Sequence, residues 1–138
     1  MKGKVVILGA GESGTGSAIL AAREGYDVFV SDNGIIKDRY RKDLKAFNID
    51  FEEGRHDIDR LLQADLVVKS PGIPDHKSPV SELVNAGIKV ISEIEFAGRF
   101  TDARKICITG SNGKTTTTNL IYEILKTVSY THLTLPTN

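Results

Sequence analysis

The chain has 138 residues, 26% of them charged, and 18 Lys and Arg balance 18 Asp and Glu to a formal net charge of zero. That length suffices for one ordinary domain, or for one domain and part of another, and the charge balance gives no basic excess for nucleic acid or an anionic membrane. The single cysteine, Cys107, excludes a disulfide framework and points to a reducing compartment. No apolar run reaches the roughly 18 to 20 residues that span a bilayer. Met1-Lys2-Gly3-Lys4 leads straight into a strand with no signal-peptide core, so the expected location is the cytoplasm.

Lys4 to Leu8 (KVVIL) is a β-branched run without alternation, as expected of a strand covered on both faces in a parallel sheet. It opens into Gly9-Ala10-Gly11-Glu12-Ser13-Gly14, a G-x-G-x-x-G turn, then a helix over about Gly14 to Arg23 that stops near Gly25, and a strand from Asp27 to Ser31 ending at Asp32. This strand, helix, strand unit, with an acid after its second strand, has the layout of a dinucleotide-binding half. Gly9 would permit the tight turn, Gly11 would let backbone approach phosphates, and Gly14 would allow close packing of helix on strand.

Tyr40, Leu44 and Phe47 put one apolar stripe on a charged helix over Ile36 to Phe47. A short strand over Asp50 to Glu52 and a short helix holding Ile58, Leu61 and Leu62 follow. His56 sits among charges without a partner at metal-ligand spacing, which suits a solvated loop histidine. Leu66 to Lys69 is a further strand, and Ser70-Pro71-Gly72-Ile73-Pro74 after it makes a rigid loop at the edge where open α/β sheets bind ligands. Val80, Leu83 and Val84 mark a helix, Lys89 to Ile91 a strand, and Glu93 to Phe100 a helix, with a domain boundary over Thr101 to Lys105.

Beyond it, Ile106 to Ile108 reads as a strand with Cys107 as a small buried hydrophobe. Gly110-Ser111-Asn112-Gly113-Lys114-Thr115-Thr116 then opens a helix whose apolar face holds Leu120, Ile121, Ile124, Leu125 and Val128. Backbone N–H groups converging at a helix N-terminus suit a polyphosphate. Lys114 would reach its outer phosphates, and the Thr115 hydroxyl could ligate Mg²⁺. The pattern is a shortened phosphate loop, G-x-x-G-K-T. One strand and one helix cannot cover so wide an apolar face, so this second domain is expected to be cut short. Ser129 to Asn138 carries no Lys, Arg, Asp or Glu and reads as a non-native tail, which discounts His132. The expected organisation is a Rossmann-like α/β domain over residues 1–101, the first strand, phosphate loop and helix of a P-loop ATPase domain over 102–128, and the tail over 129–138.

Together, G-A-G-E-S-G, S-P-G-I-P, S-E-I-E-F and I-T-G-S-N-G-K-T-T in this order resemble the Mur ligase family over Met1 to about Val128. The resemblance implies a first domain that holds the UDP part of the substrate, a central ATPase, and a third domain that helps bind ATP and the incoming amino acid. It further implies an ATP-dependent ligase of peptidoglycan synthesis acting as a monomer. Its substrate, UDP-N-acetylmuramoyl-L-alanine, would be activated as an acyl phosphate and attacked by D-glutamate. Gly11, Glu12, Ser13, Gly14, Asp32, Asn33, Ser70, Pro71 and Gly72 would line the uridine-diphosphate site. Gly110 to Thr116 would bind ATP, with Lys114 and Thr115 as catalytic groups and Thr115 towards Mg²⁺. Asn33 and Gly34 stand where the family often has a hydroxyl and a basic residue. The family's remaining metal ligands, its modified lysine and its third domain would fall beyond this chain, which alone is expected not to turn over. Two other readings are a nicotinamide-binding domain of an oxidoreductase, with Asp32 on the ribose, and a nucleotide-binding module without catalysis.

Overall fold

The structure, a computed structural model, describes residues 2–128; the tail and His132 lie outside the described residues. The chain divides into two units, one ending at Asp102 and the other starting at Ala103.

In the first unit five parallel strands, β1 (Lys4–Leu8), β2 (Asp27–Asp32), β3 (Asp50–Glu53), β4 (Leu66–Lys69) and β5 (Lys89–Ser92), lie in the order β3-β2-β1-β4-β5. The helices between them are α1 (Glu12–Arg23), α2 (Asp38–Ala46), α3 (Ile58–Leu61) and α4 (Val80–Asn85), with α5 (Glu93–Ala97) after β5. Parallel neighbours require crossovers, and the apolar strands explain why these cover both faces of the sheet. Val5, Ile7, Val28, Val30 and Val68 pack on one face with Ala18 and Ala21 of α1, Leu44 of α2 and Phe96 of α5. Val6, Leu8, Phe29 and Val67 pack on the other with Leu61 of α3 and Leu83 of α4. Successive residues of β1, β2 and β4 thus serve opposite layers, so the middles of these three strands are apolar without polar alternation.

Three boundaries differ from the expectation for physical reasons. Helix α1 starts at Glu12, two residues before Gly14, because Gly11 is extended (φ −73°, ψ −166°) and serves as N-cap. Ile36 precedes α2 rather than joining it: its N–H donates to Glu53 Oε2 at 3.0 Å and its side chain is buried. Helix α5 ends at Ala97 and tightens into a 3₁₀ turn over Gly98–Phe100.

The second unit has one helix, α6 (Lys114–Val128). The strand expected over Ile106 to Ile108 is not formed. A strand's backbone groups need a neighbouring strand, and the described residues of this unit provide none. Ile106 is accordingly 54% exposed, and Cys107 is exposed instead of buried. On α6, Leu120 and Ile124 face outward, while Ile121 and Leu125 are half-buried in a small hollow with Ile106 and Ile108.

Candidate functional site

Register places all the candidate groups of the first unit at one edge. Leu8 aligns with Ser31 and Lys69, Ser31 with Glu52, and Lys69 with Ser92, so the residues that follow leave the sheet together at its C-terminal end. The order reverses at β1, with β2 on one side and β4 on the other. That switch point is where open α/β sheets bind ligands. A cleft of about 610 Å³ opens there, lined by Gly9, Asp32, Asn33, Arg55, His56, Gly72, Ile73, Pro74 and Lys77 among others.

The turn after β1 is glycine-dependent at two points. Gly9 has φ +95°, and a Cβ there would lie 2.8 Å from Ser70 Oγ. A Cβ on Gly14 would lie 1.9 Å from the Gly9 carbonyl oxygen. Gly11 differs, since nothing lies within 4 Å of its Cβ position. Asp32 braces this turn from β2: its Oδ2 accepts from Ala10 N at 2.6 Å and its Oδ1 from Gly34 N at 2.7 Å. Asp32 lines the cleft, but both of its oxygens are engaged by backbone donors.

The predicted site residues do not all meet there. Asp32, Asn33 and Gly72 line the cleft; Glu12 is exposed on the first turn of α1. Ser13 and Ser70 instead converge on Glu93, which is 6% exposed: Glu93 Oε1 accepts from Ser13 Oγ at 2.9 Å and from Ser70 Oγ at 2.6 Å. This carboxylate ties the first turn of α1 to the loop after β4. Pro71 and Gly72 occupy the corner of that loop, closed by Ile73 N donating to Ser70 O at 3.1 Å. Lys69 Nζ holds the far side through Ile73 O at 2.9 Å and Asp75 Oδ1 at 3.1 Å. Glu93 was visible in the sequence only as part of S-E-I-E-F, with nothing local to reveal its partners.

His56 corrects its expected role as a solvated loop residue. It is half-buried on the cleft wall, and its Nδ1 is 2.7 Å from the fully buried Ser31 Oγ, which donates to Glu52 Oε1 at 2.7 Å. Burial holds the His56 pKa below its ordinary 6.5, against the opposing pull of the Glu52 and Asp32 carboxylates. A histidine whose folded pKa is depressed binds fewer protons folded than unfolded, so its contribution to stability is present above pH 6.5 and lost as pH falls through the folded pKa. Melting temperatures measured from pH 7.5 downward should therefore fall more steeply for the native chain than for His56→Phe, with the curves separating below about pH 6.5. Parallel curves would contradict this.

In the second unit, Gly110 (φ +150°) and Gly113 (φ +77°) take conformations that favour glycine, and α6 begins directly at Lys114. Lys114 Nζ donates to the carbonyls of Gly110 and Ser111, which folds it back over the loop. Ser111 and Asn112 sit between the two glycines, and Thr115 and Thr116 lie in the first helical turn. Free N–H groups at a helix start beside an ammonium fit a phosphate chain. Thr115 can offer one hydroxyl to a Mg²⁺ that phosphates also hold. Among the described residues no three His, Cys, Asp or Glu side chains gather to hold a metal ion. Nor is any helix among them long and apolar enough to cross a membrane.

Known proteins match both units. Residues 4–83 match the MurD N-terminal domain and residues 108–138, a range that includes the tail, match the Mur ligase middle domain. The UDP-N-acetylmuramoylalanine–D-glutamate ligase of Bacteroides fragilis is 58% identical over 123 residues, covering 89% of this chain and 28% of that protein. The ligase of the same name from Porphyromonas gingivalis is 52% identical over 125 residues, covering 91% of this chain and 28% of its own length. This chain thus spans 28% of the length of these relatives. Among solved structures, a murein peptide ligase from Psychrobacter arcticus superposes with a TM-score of 0.67 at 27% identity over 91% of this chain and 27% of its own. A pseudomurein peptide ligase type C from Methanothermus fervidus gives 0.64 at 28% identity over 91% and 26%. With the match to the MurD N-terminal domain covering more than half of its residues, the chain belongs to the Mur ligase family.

Proposed function

We propose that the chain is the uridine-nucleotide-binding and phosphate-loop part of an ATP-dependent ligase that joins D-glutamate to UDP-N-acetylmuramoyl-L-alanine in cytoplasmic peptidoglycan synthesis. The observation that carries this reading is the 58% identity to a ligase of that specificity along 89% of the chain. The two loops supply its physical sense. Residues 1–101 would bind the UDP end of the substrate in the switch-point cleft, with Asp32, Asn33 and Gly72 in its wall. Gly11 to Gly14 would face the phosphates, and Ser13, Ser70 and Pro71 would set the loops. Residues 102–128 would begin an ATP-binding domain, with Gly110 to Thr116 around the phosphates, Lys114 on the outer ones and Thr115 towards Mg²⁺. The substrate carboxylate would attack the γ-phosphate of ATP, releasing ADP and forming an acyl phosphate, and the amine of D-glutamate would attack its acyl carbon and expel inorganic phosphate. Phosphoryl transfer of this kind draws on positioning and charge stabilisation, and on this reading the 138 residues bind nucleotide without completing the ligation.

A nicotinamide site is the competing reading, and the second loop over Gly110 to Thr116 counts against it, because a dehydrogenase has no use for a phosphate loop at the start of another unit. Calorimetric titration separates the two: the chain should bind UDP-N-acetylmuramoyl-L-alanine and show no saturable response to NAD⁺. The opposite pattern overturns the proposal. A Gly11→Ala variant sharpens the test. Its Cβ enters open space in the free protein, so the cost should be no more than the roughly 1 kcal/mol by which alanine is a poorer helix N-cap than glycine. If the phosphates approach this backbone, affinity should fall by roughly tenfold, about 1.4 kcal/mol. Undiminished affinity would remove Gly11 from the site.

A further inference from the structure

The proton count around Ser31 fixes what His56 shows to the cleft. Ser31 Oγ has one hydrogen, and a carboxylate oxygen that can only accept, Glu52 Oε1, lies 2.7 Å away. The hydrogen goes there, which leaves the hydroxyl only lone pairs to offer the Nδ1 of His56, also at 2.7 Å. Nδ1 must then carry the hydrogen of that bond, and in the neutral ring Nε2 is left as a bare acceptor. The Glu52 oxygen is held in turn by Asp57 N at 2.9 Å, and Glu52 is the register partner of Ser31 across β2 and β3. The relay is therefore built into the sheet. The only buried side-chain nitrogen or oxygen without a partner among the described residues is Arg41 Nε. Nε2 of His56, with no bond of its own, is thus open to the space that the ring lines.

We propose that His56 is a specificity-determining residue of this cleft, its Nε2 accepting a hydrogen bond from a neutral N–H or O–H donor of the bound nucleotide. The inference rests on the nucleotide reading above and adds to it the chemistry of one contact. A bare lone pair repels a phosphate oxygen, which has no hydrogen to give, so His56 reads the nucleoside. Arg55 and Lys77, which also line the cleft, carry charges suited to the phosphates. A uridine nucleotide offers two donors of the required kind, the imide N–H of the base and the hydroxyls of the ribose.

The test titrates the full chain with UDP, 3-methyluridine diphosphate and 2′-deoxyuridine diphosphate at pH 7.5, and repeats the series on His56→Phe. Loss of the one hydrogen bond that Nε2 accepts should weaken one of the two analogues by roughly tenfold in the native chain. In His56→Phe the same analogue should differ from UDP by less than about twofold. Loss on methylation assigns the base, and loss on deoxygenation assigns the ribose. Nitrogen NMR of the native imidazole gives a readout independent of the variant's folding, with Nδ1 protonated and the Nε2 signal moving when UDP is added. Equal binding of all three ligands by the native chain, a loss that persists in His56→Phe, or a proton on Nε2 overturns the inference. Absence of any UDP binding by the native chain overturns the nucleotide reading itself.

Discussion

Gly14→Ala is expected to destabilise the first unit by about 3 kcal/mol, at the upper end of what overpacking costs, while Gly16→Ala on the same helix stabilises it by up to about 1 kcal/mol. The Gly14 Cβ would stand 1.9 Å from the Gly9 carbonyl oxygen and 3.6 Å from Ile7 Cγ2, so α1 and the end of β1 would have to part by about 1 Å. Neither side has slack. Gly9 N is bonded to Ser31 O at 2.9 Å, and Ser70 fills the space where a Gly9 side chain would start. Helix α1 cannot retreat without uncovering Ala18 and Ala21, both fully buried against the sheet. Gly16 is exposed with nothing within 4 Å of its Cβ position, so alanine there only reduces the backbone entropy lost on folding. At roughly 4–8 °C per kcal/mol for a domain of this size, Gly14→Ala should lower the melting temperature by about 12–24 °C. Circular dichroism melts of the two variants decide it, and a Gly14→Ala protein within about 1 kcal/mol of native would show that the helix can move.

The same pair of glycines shows why much of this fold was legible. Strands β1 and β4 occupy the residues that their unbroken apolar runs indicate, because a strand buried on both faces advertises itself locally. The turn after β1 was legible because its glycines are demanded by backbone geometry within a few residues. What escaped depends on register. His56 meets Ser31 only because β3 lies beside β2 with Glu52 opposite Ser31, a pairing that no local spacing encodes. Glu93 meets Ser13 and Ser70 because β5 lies beside β4 and α5 packs against α1, across 80 residues of sequence. Ile106 to Ile108 failed in the opposite sense. Its composition suits a strand, but the described residues of its unit lack the neighbour that would make it one.

Glu93→Ala should cost about 2–3 kcal/mol, through the contact across the switch point rather than through the helix that carries the residue. Its Oε1 accepts from a hydroxyl on each side, at 2.6 Å from Ser70 and 2.9 Å from Ser13. Hydrogen bonds to a charged acceptor are worth about 1.5–3 kcal/mol each, but the two should not contribute alike. Ser13 is exposed and can turn to water when the carboxylate is gone. Ser70 is half-buried against Gly9 and must stay. Ser70→Ala should therefore reproduce most of the Glu93→Ala loss, and Ser13→Ala no more than about 0.5 kcal/mol. Adding Ser70→Ala to Glu93→Ala should cost little more than either alone, because both remove the same bond. Glu93→Gln, which keeps an acceptor but gives up the charge, should lie between Glu93→Ala and native. If chemical denaturation instead finds the Ser70 and Glu93 effects additive, the carboxylate acts through α5 packing and not as the tie between the two loops. In that case the spacing of Gly9 and Ser70 must be set by the Ser70 N to Leu8 O bond, at 3.0 Å, alone.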